Sequence, residues 1–187
     1  MNSDIVSLII ILICVMLSAY FSATETSFTS LNRIRMKNMA EKGDKRAELV
    51  LKLLENFDKL LSTILVGNNI VNNVATTIGA VLFIQLIGPG KGPTVSATVL
   101  TVVILIFGEV TPKSLAKERP EAWAIVATPL LRVMAVLLTP VNFLFTQWKK
   151  LLRVLLRHQD DDGITEEELV TICLLYTSDA ADDMQCV

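Results

Sequence analysis

Three long stretches of this chain carry almost no charge, which leaves few folds open to it. Ile5 to Phe21, IVSLIIILICVMLSAYF, has no charged side chain, and up to Asn32 only Glu25 interrupts it. Lys59 and Lys91 bracket a second stretch that contains LLSTILVGNNIVNNVATTIGAVLFIQLIG, and a third runs from Thr94 to Gly108. About 20 apolar residues of helix cross a bilayer, and in lipid the backbone must satisfy its own polar groups, which a helix does within one segment. The first stretch lacks the basic start and small-residue cleavage site of a secretory signal. The expected fold is therefore an all-α membrane protein with three transmembrane helices per subunit, over about 4–30, 59–87 and 94–117. The third reaches spanning length only by including Glu109 and Pro112. Between the second and third, GPGKGP has the composition of a tight turn. A mean hydropathy of +0.53 and 19% charged residues fit this class better than a soluble domain.

Charge is distributed unevenly along the chain. Nine of the 19 acidic residues and none of the 17 basic ones lie at or after Asp160, so a basic body carries an acidic tail. Between the first two spans, residues 32–56 hold Arg33, Arg35, Lys37, Lys42, Lys45, Arg46 and Lys52, with Gly43-Asp44 dividing two short amphipathic helices. Basic loops stay in the cytoplasm, so the N-terminus is expected outside and the C-terminus inside. Residues 121–157 include a run, Ala122 to Trp148, long enough to cross. A crossing would put Lys149, Lys150, Arg153 and Arg157 outside, and Pro129, Arg132 and Pro140 interrupt the run. It reads as broken helices lying in or dipping into the cytoplasmic interface.

Polar side chains recur inside the spans at helical spacing. Ser18 and Ser22 share a face of the first, and Asn68 and Asn72 share a face of the second, with Asn69 and Asn73 beside them and Thr63 before them. Such groups serve as interhelical hydrogen-bond glue or as ligands. Four asparagines within six residues are many for glue alone, since each amide needs partners away from water. Glu109 is costly at membrane depth, roughly 2.5–3.5 kcal/mol on insertion scales. It marks an ion pathway, sits wet near the interface, or pairs with Arg33 or Lys113. Pro112 has no N–H, so the Gly108 carbonyl four residues back loses its helical donor, and a glycine there leaves room for close approach. Pro112 is thus an expected helix break. Hydroxyl, amide, carbonyl and carboxylate oxygens are the donors that hard cations take. No Cys or His joins them, which argues against zinc, copper or iron. His158 lies in a basic segment, and Cys14, Cys173 and Cys186 have neither metal nor disulfide spacing. Glu25, in SATETS, either lines the cavity mouth or pairs with the basic loop.

LSAYFSATETS, LVGNNIVNN and FGEVTPKSLA occur in this order and spacing in the transmembrane domain of the CorC/CNNM (cyclin M) magnesium transporter family, which the chain resembles over about Ile5 to Arg157. The resemblance implies a homodimer, three spans per subunit and a juxtamembrane belt. It implies Mg2+ held between helices by Ser18, Ser22, Thr63, Asn68, the Gly108 carbonyl and Glu109; Asn72 and Glu25 are candidate cavity-lining residues beside that set. It further implies Mg2+ efflux across the bacterial cytoplasmic membrane by alternating access, sodium-coupled in one proposal, with Pro112 and the hairpin glycines as bending points.

On this reading residues 1–157 are the transmembrane domain and 158–172 begin a cytoplasmic acidic helix. Residues 173–187, CLLYTSDAADDMQCV, fit no amphipathic pattern and read as a non-native tail. The ATP-binding regulatory modules of full-length relatives are then absent. Membrane lipids and Mg2+ are the expected partners, with Na+ a further one, and nucleic acid is not. No nucleophile–base pair or His-Glu-x-x-His motif suggests an enzyme. The other reading of the same residues is a membrane-anchored Mg2+ sensor or scaffold that moves no ion.

Overall fold

The structure is a computed structural model that describes residues 2–139 and 147–148. The chain divides into two compact units, Met1–Leu144 and Phe145–Val187. In the second unit only the helical Gln147 and Trp148 are described. The expected acidic helix over 158–172 and the tail over 173–187 lie outside the described residues, as does most of the segment from 140 to 157.

All described regular structure is helical. In order it comprises α1 (Asn2–Ser30), α2 (Arg33–Glu41), α3 (Lys45–Leu54), α4 (Phe57–Ile87), α5 (Gly92–Val103), a π-helical segment (Ile104–Val110), α6 (Thr111–Glu118) and α7 (Pro120–Leu137). From Gly92 to Glu118 the last span is one uninterrupted helical run of 27 residues. The expected break at Pro112 takes a different form. Just before the proline the ladder widens, and the Thr111 N–H bonds to the Ile106 carbonyl five residues back. Such π-helical turns occur inside α-helices mostly as short segments, frequently at functional sites.

The short helices follow local rules. Gly43 adopts φ +93°, and Asp44 then caps α3, its Oδ1 accepting from the Arg46 N–H at 2.9 Å and the Ala47 N–H at 3.4 Å. At the opposite end of the bundle, Gly88 at φ +96° ends α4 and opens the turn to α5. The chain returns so tightly that a Cβ on Gly92 would lie 2.8 Å from the Ile84 backbone. In both turns glycine is used for its backbone.

Two apolar clusters hold the spans together. Towards the α2–α3 end, Phe21 and Phe28 of α1 pack with Leu60 and Ile64 of α4, Met36 and Val50 of the short helices, and Leu131 of α7. Towards the Gly88 end, Ile11, Cys14 and Val15 pack with Ala75, Leu82, Leu100 and Ile104. Most other apolar side chains of the spans, such as Leu8, Leu12, Met16, Phe107 and Val110, face outwards. A chain with that surface is an integral membrane protein.

Four helical runs, one more than the sequence suggests, are long and apolar enough to cross a membrane, the fourth being α7. Its course is oblique. Ser27 Oγ near the end of α1 donates to the Pro120 carbonyl, and Tyr20 Oη donates to the Ala127 carbonyl at 2.7 Å. By Ala135 the helix lines a cavity with Lys59 and Thr63, at the start of α4. Thus α7 begins and ends against the α2–α3 end of the bundle.

Candidate functional site

Between the two apolar clusters lies a thin layer of oxygen atoms. Ser18 is fully buried on α1, and its Oγ lies 2.9 Å from Asn68 Oδ1 on α4 and 3.4 Å from the Gly108 carbonyl in the π segment. A hydroxyl has one proton, so it serves one of these acceptors at a time, and the shorter contact is the better bond. The Gly108 carbonyl, which Pro112 cannot serve, receives the longer contact. The approach is close enough to favour glycine, since a Cβ at 108 would sit 3.0 Å from Ser18 Oγ and push it by a few tenths of an ångström. Three helices therefore bring a hydroxyl, an amide oxygen and a main-chain carbonyl to one point.

Two further oxygens on the same helix faces have no partner. Ser22 Oγ, one turn along α1 from Ser18, and Asn72 Oδ1, one turn along α4 from Asn68, are buried without a hydrogen bond. Each such group costs about 1–3 kcal/mol if nothing occupies the gap. Ser96 Oγ is also unpartnered, but it lies by Gly79 at the α4–α5 contact, away from this layer. The orphan Ser22 hydroxyl, one turn from the Ser18–Gly108 contact, suits a small hard cation, whereas Asn72 lies one turn towards the Gly88 end, on the other side of the layer. Among the described residues no three His, Cys, Asp or Glu side chains cluster, so neutral oxygens predominate in this donor set.

The remaining residues singled out by sequence lie around this layer. Glu109 is half-buried, and its Oε1 accepts from Lys113 Nζ at 3.1 Å, one turn along. Glu25 Oε2 on α1 lies 3.4 Å from the same ammonium. Thr63 is buried, donates to the Lys59 carbonyl at 2.8 Å, and lines a cavity of about 220 Å3 with Lys52, Asn56 and Lys59. Five residues of helix turn it about 140° from Asn68, so it points to a different neighbour. Asn69 and Asn73 are exposed on α4, and Asn69 Nδ2 bonds its own helix at the Leu65 carbonyl.

Sequence reasoning missed the double role of Lys113, which joins carboxylates from two helices. Half of it was legible, since Glu109 and Lys113 are four apart on one helix. The pairing with Glu25 depends on how α1 and α6 pack. The Tyr20 and Ser27 bonds to α7 carbonyls were likewise invisible, because backbone acceptors leave no mark in a sequence.

Comparison with known proteins adds the lineage. A profile of the cyclin M transmembrane N-terminal domain matches residues 9–182. The chain is 37% identical over 160 residues to the UPF0053 inner membrane protein YfjD of Escherichia coli, covering 83% of this chain and 37% of that protein. It is 36% identical over 167 residues to a UPF0053 protein of Haemophilus influenzae, covering 88% and 40%. A chloroplastic DUF21 domain-containing protein of Arabidopsis thaliana is 31% identical over 156 residues, covering 82% and 23%. The chain thus spans well under half the length of these curated relatives.

Proposed function

The chain belongs to the cyclin M transmembrane domain family, and from that premise we propose that it carries Mg2+ across the bacterial cytoplasmic membrane, in the direction of efflux. The observation that carries this reading is the oxygen layer. Ser18 Oγ, Asn68 Oδ1 and the Gly108 carbonyl meet within 3.4 Å, next to the unpartnered Ser22 hydroxyl and between two apolar clusters. Water is scarce there, so a cation entering the layer exchanges part of its hydration for these donors. Ser18, Ser22, Asn68 and the Gly108 carbonyl are the proposed neutral ligands. Glu109, the next residue, supplies the charge once it leaves Lys113.

Three crossings rather than four are part of the proposal. Both ends of α7 lie against the α2–α3 end of the bundle, as an interfacial helix would. That end carries most of the basic residues of the loops and is assigned to the cytoplasm. A second copy is proposed against α4. Its Asn69, Asn73, Thr76 and Thr77 form an exposed polar strip within an apolar span, and such side chains usually meet another helix.

The test is Mg2+ flux into or out of liposomes containing the purified chain. Asn68→Ala and Glu109→Gln are expected to abolish flux and to remove Mg2+-dependent thermal stabilisation. Unimpaired flux in both variants would sink the transport reading. Stabilisation by Mg2+ without flux in the parent chain would favour the sensor.

A further inference from the structure

Lys113 occupies a position that the transport reading leaves unexplained. Its ammonium contacts two carboxylates from two helices, Glu109 Oε1 at 3.1 Å and Glu25 Oε2 at 3.4 Å. All three side chains are about one-third exposed, so the group lies at the margin of the packed bundle. On α1, Glu25 is three residues beyond Ser22, and on the last span Lys113 is five beyond Gly108. Ser18 meets Gly108 where Glu25 meets Lys113, so α1 and the last span run in the same direction with the ion pairs nearer the α2–α3 end. The lysine therefore stands beside the oxygen layer, between it and that end of the bundle.

Two carboxylates and one ammonium leave a net charge of −1, and the carboxylates face a cation that is covalently part of the chain. A free cation that uses Glu109 competes with Lys113 for its charge, since Oε1 is already engaged by the ammonium. We propose that Lys113 is a tethered competitor: it holds Glu109 and Glu25 while the layer is empty and swings away when a divalent cation arrives from the α2–α3 end. An ammonium is compact and sits on a flexible stem, which suits it to temporary occupancy. The lysine supplies half the positive charge that Mg2+ brings to the two carboxylates, so the site remains attractive to a divalent cation while monovalent ions compete on equal terms with a partner already in place. The lysine thereby sets both the affinity and the valence preference of the site. This inference rests on the Mg2+ reading above and adds to it a residue that touches the carboxylates rather than the ion.

The experiment is titration of the purified full chain with MgCl2, read as the midpoint of thermal stabilisation, for the parent chain, Lys113→Met, Lys113→Gln and Lys113→Arg. With two partly exposed ion pairs no longer to be broken, the neutral variants are expected to respond at about tenfold lower Mg2+. They are also expected to respond to NaCl at concentrations that leave the parent chain unmoved. Lys113→Arg keeps the charge and should restore the parent midpoint. If one neutral variant fails to fold, the other gives the same readout. An unchanged or raised midpoint in the neutral variants overturns the role of Lys113 while leaving the Mg2+ reading standing. No Mg2+ response in the parent chain or in any variant overturns both.

Discussion

The contact of α1 with α4 offers a test that depends on no ligand. Gly67 lies directly under the Phe21 ring: a Cβ built there would be 2.6 Å from Cζ, 2.7 Å from Cε1 and 3.1 Å from Cε2. Non-bonded carbons settle at about 3.5–4.0 Å, so Gly67→Ala requires a displacement of roughly 1 Å. The ring has little room to provide it. Phe21 is 1% exposed and packs edge-on to Tyr20, which is itself fixed to α7 through the Ala127 carbonyl. The helices must then separate, at about 1–3 kcal/mol for overpacking. Separation also stretches the neighbouring Ser18–Asn68 bond from 2.9 Å, an interhelical bond worth about 0.6–1.7 kcal/mol in membranes. Alanine gains up to about 1 kcal/mol in helix propensity over glycine, which offsets part of this. The expected net loss is about 1–3 kcal/mol, read by equilibrium unfolding in mixed micelles. Phe21→Leu in the same chain should recover much of it, giving a coupling energy of about 1–2 kcal/mol in the double-mutant cycle. Strict additivity of the two substitutions would refute the steric argument.

The α4–α5 turn gives a sharper contrast within a few residues. Gly92→Ala meets the Ile84 and Phe83 backbone at 2.8 Å, which cannot rotate away, and should cost about 1–3 kcal/mol. Gly90→Ala meets nothing within 4 Å and should stay within about 0.5 kcal/mol of the parent in the same unfolding assay. For the proposed pairing of two copies, Asn73→Cys in a chain whose three cysteines are replaced by serine should cross-link to a dimer on oxidation in membranes. Leu86→Cys, about 140° around α4, should remain monomeric, and equal cross-linking of both would remove the assignment of that face.

The sequence exposed the parts of this fold that periodicity and charge control. The uncharged runs delimit α1, α4 and the α5–α6 run to within a few residues, because lipid forces whole helices and forbids charges in most positions. Gly43-Asp44 marks the break between α2 and α3 because a positive-φ glycine and a capping carboxylate both need particular residues. In the third span the proline was legible and its consequence was not. A missing N–H can be met by a kink or by a wider turn, and the neighbouring helices decide which. Thr63 illustrates the same limit, since its helical position was clear and the helix it faces was not. Among polar residues, Ser18, Asn68 and Gly108 come together because each lies between two apolar clusters that hold the helices in register. Glu109 is a mixed case: its pairing with Lys113 follows from helical spacing, while packing brings Glu25 of α1 to the same ammonium.

That difference bears on how such a site can work. Elsewhere in the bundle local rules and packing agree, with glycines under Phe21, Leu100 and the α4 backbone and capping at the α2–α3 turn. Several departures lie within about a turn of the Ser18–Gly108 contact: a π turn, a carbonyl that Pro112 cannot serve and the unpartnered Ser22 oxygen, while the unpartnered Asn72 and Ser96 oxygens lie nearer the Gly88 end. Concentrated violations of otherwise obeyed rules are the signature of a functional position. An oxygen layer left fully paired would have no affinity to spare for an ion, and one left fully unpaired would destabilise the bundle or fill with water. Here Ser18 pairs with Asn68 through a single exchangeable proton, and Lys113 holds the carboxylates through contacts at the margin. Each of those partners can be given up one at a time. On the proposed function, a cation entering the layer would replace bonds that already exist instead of entering an open cavity.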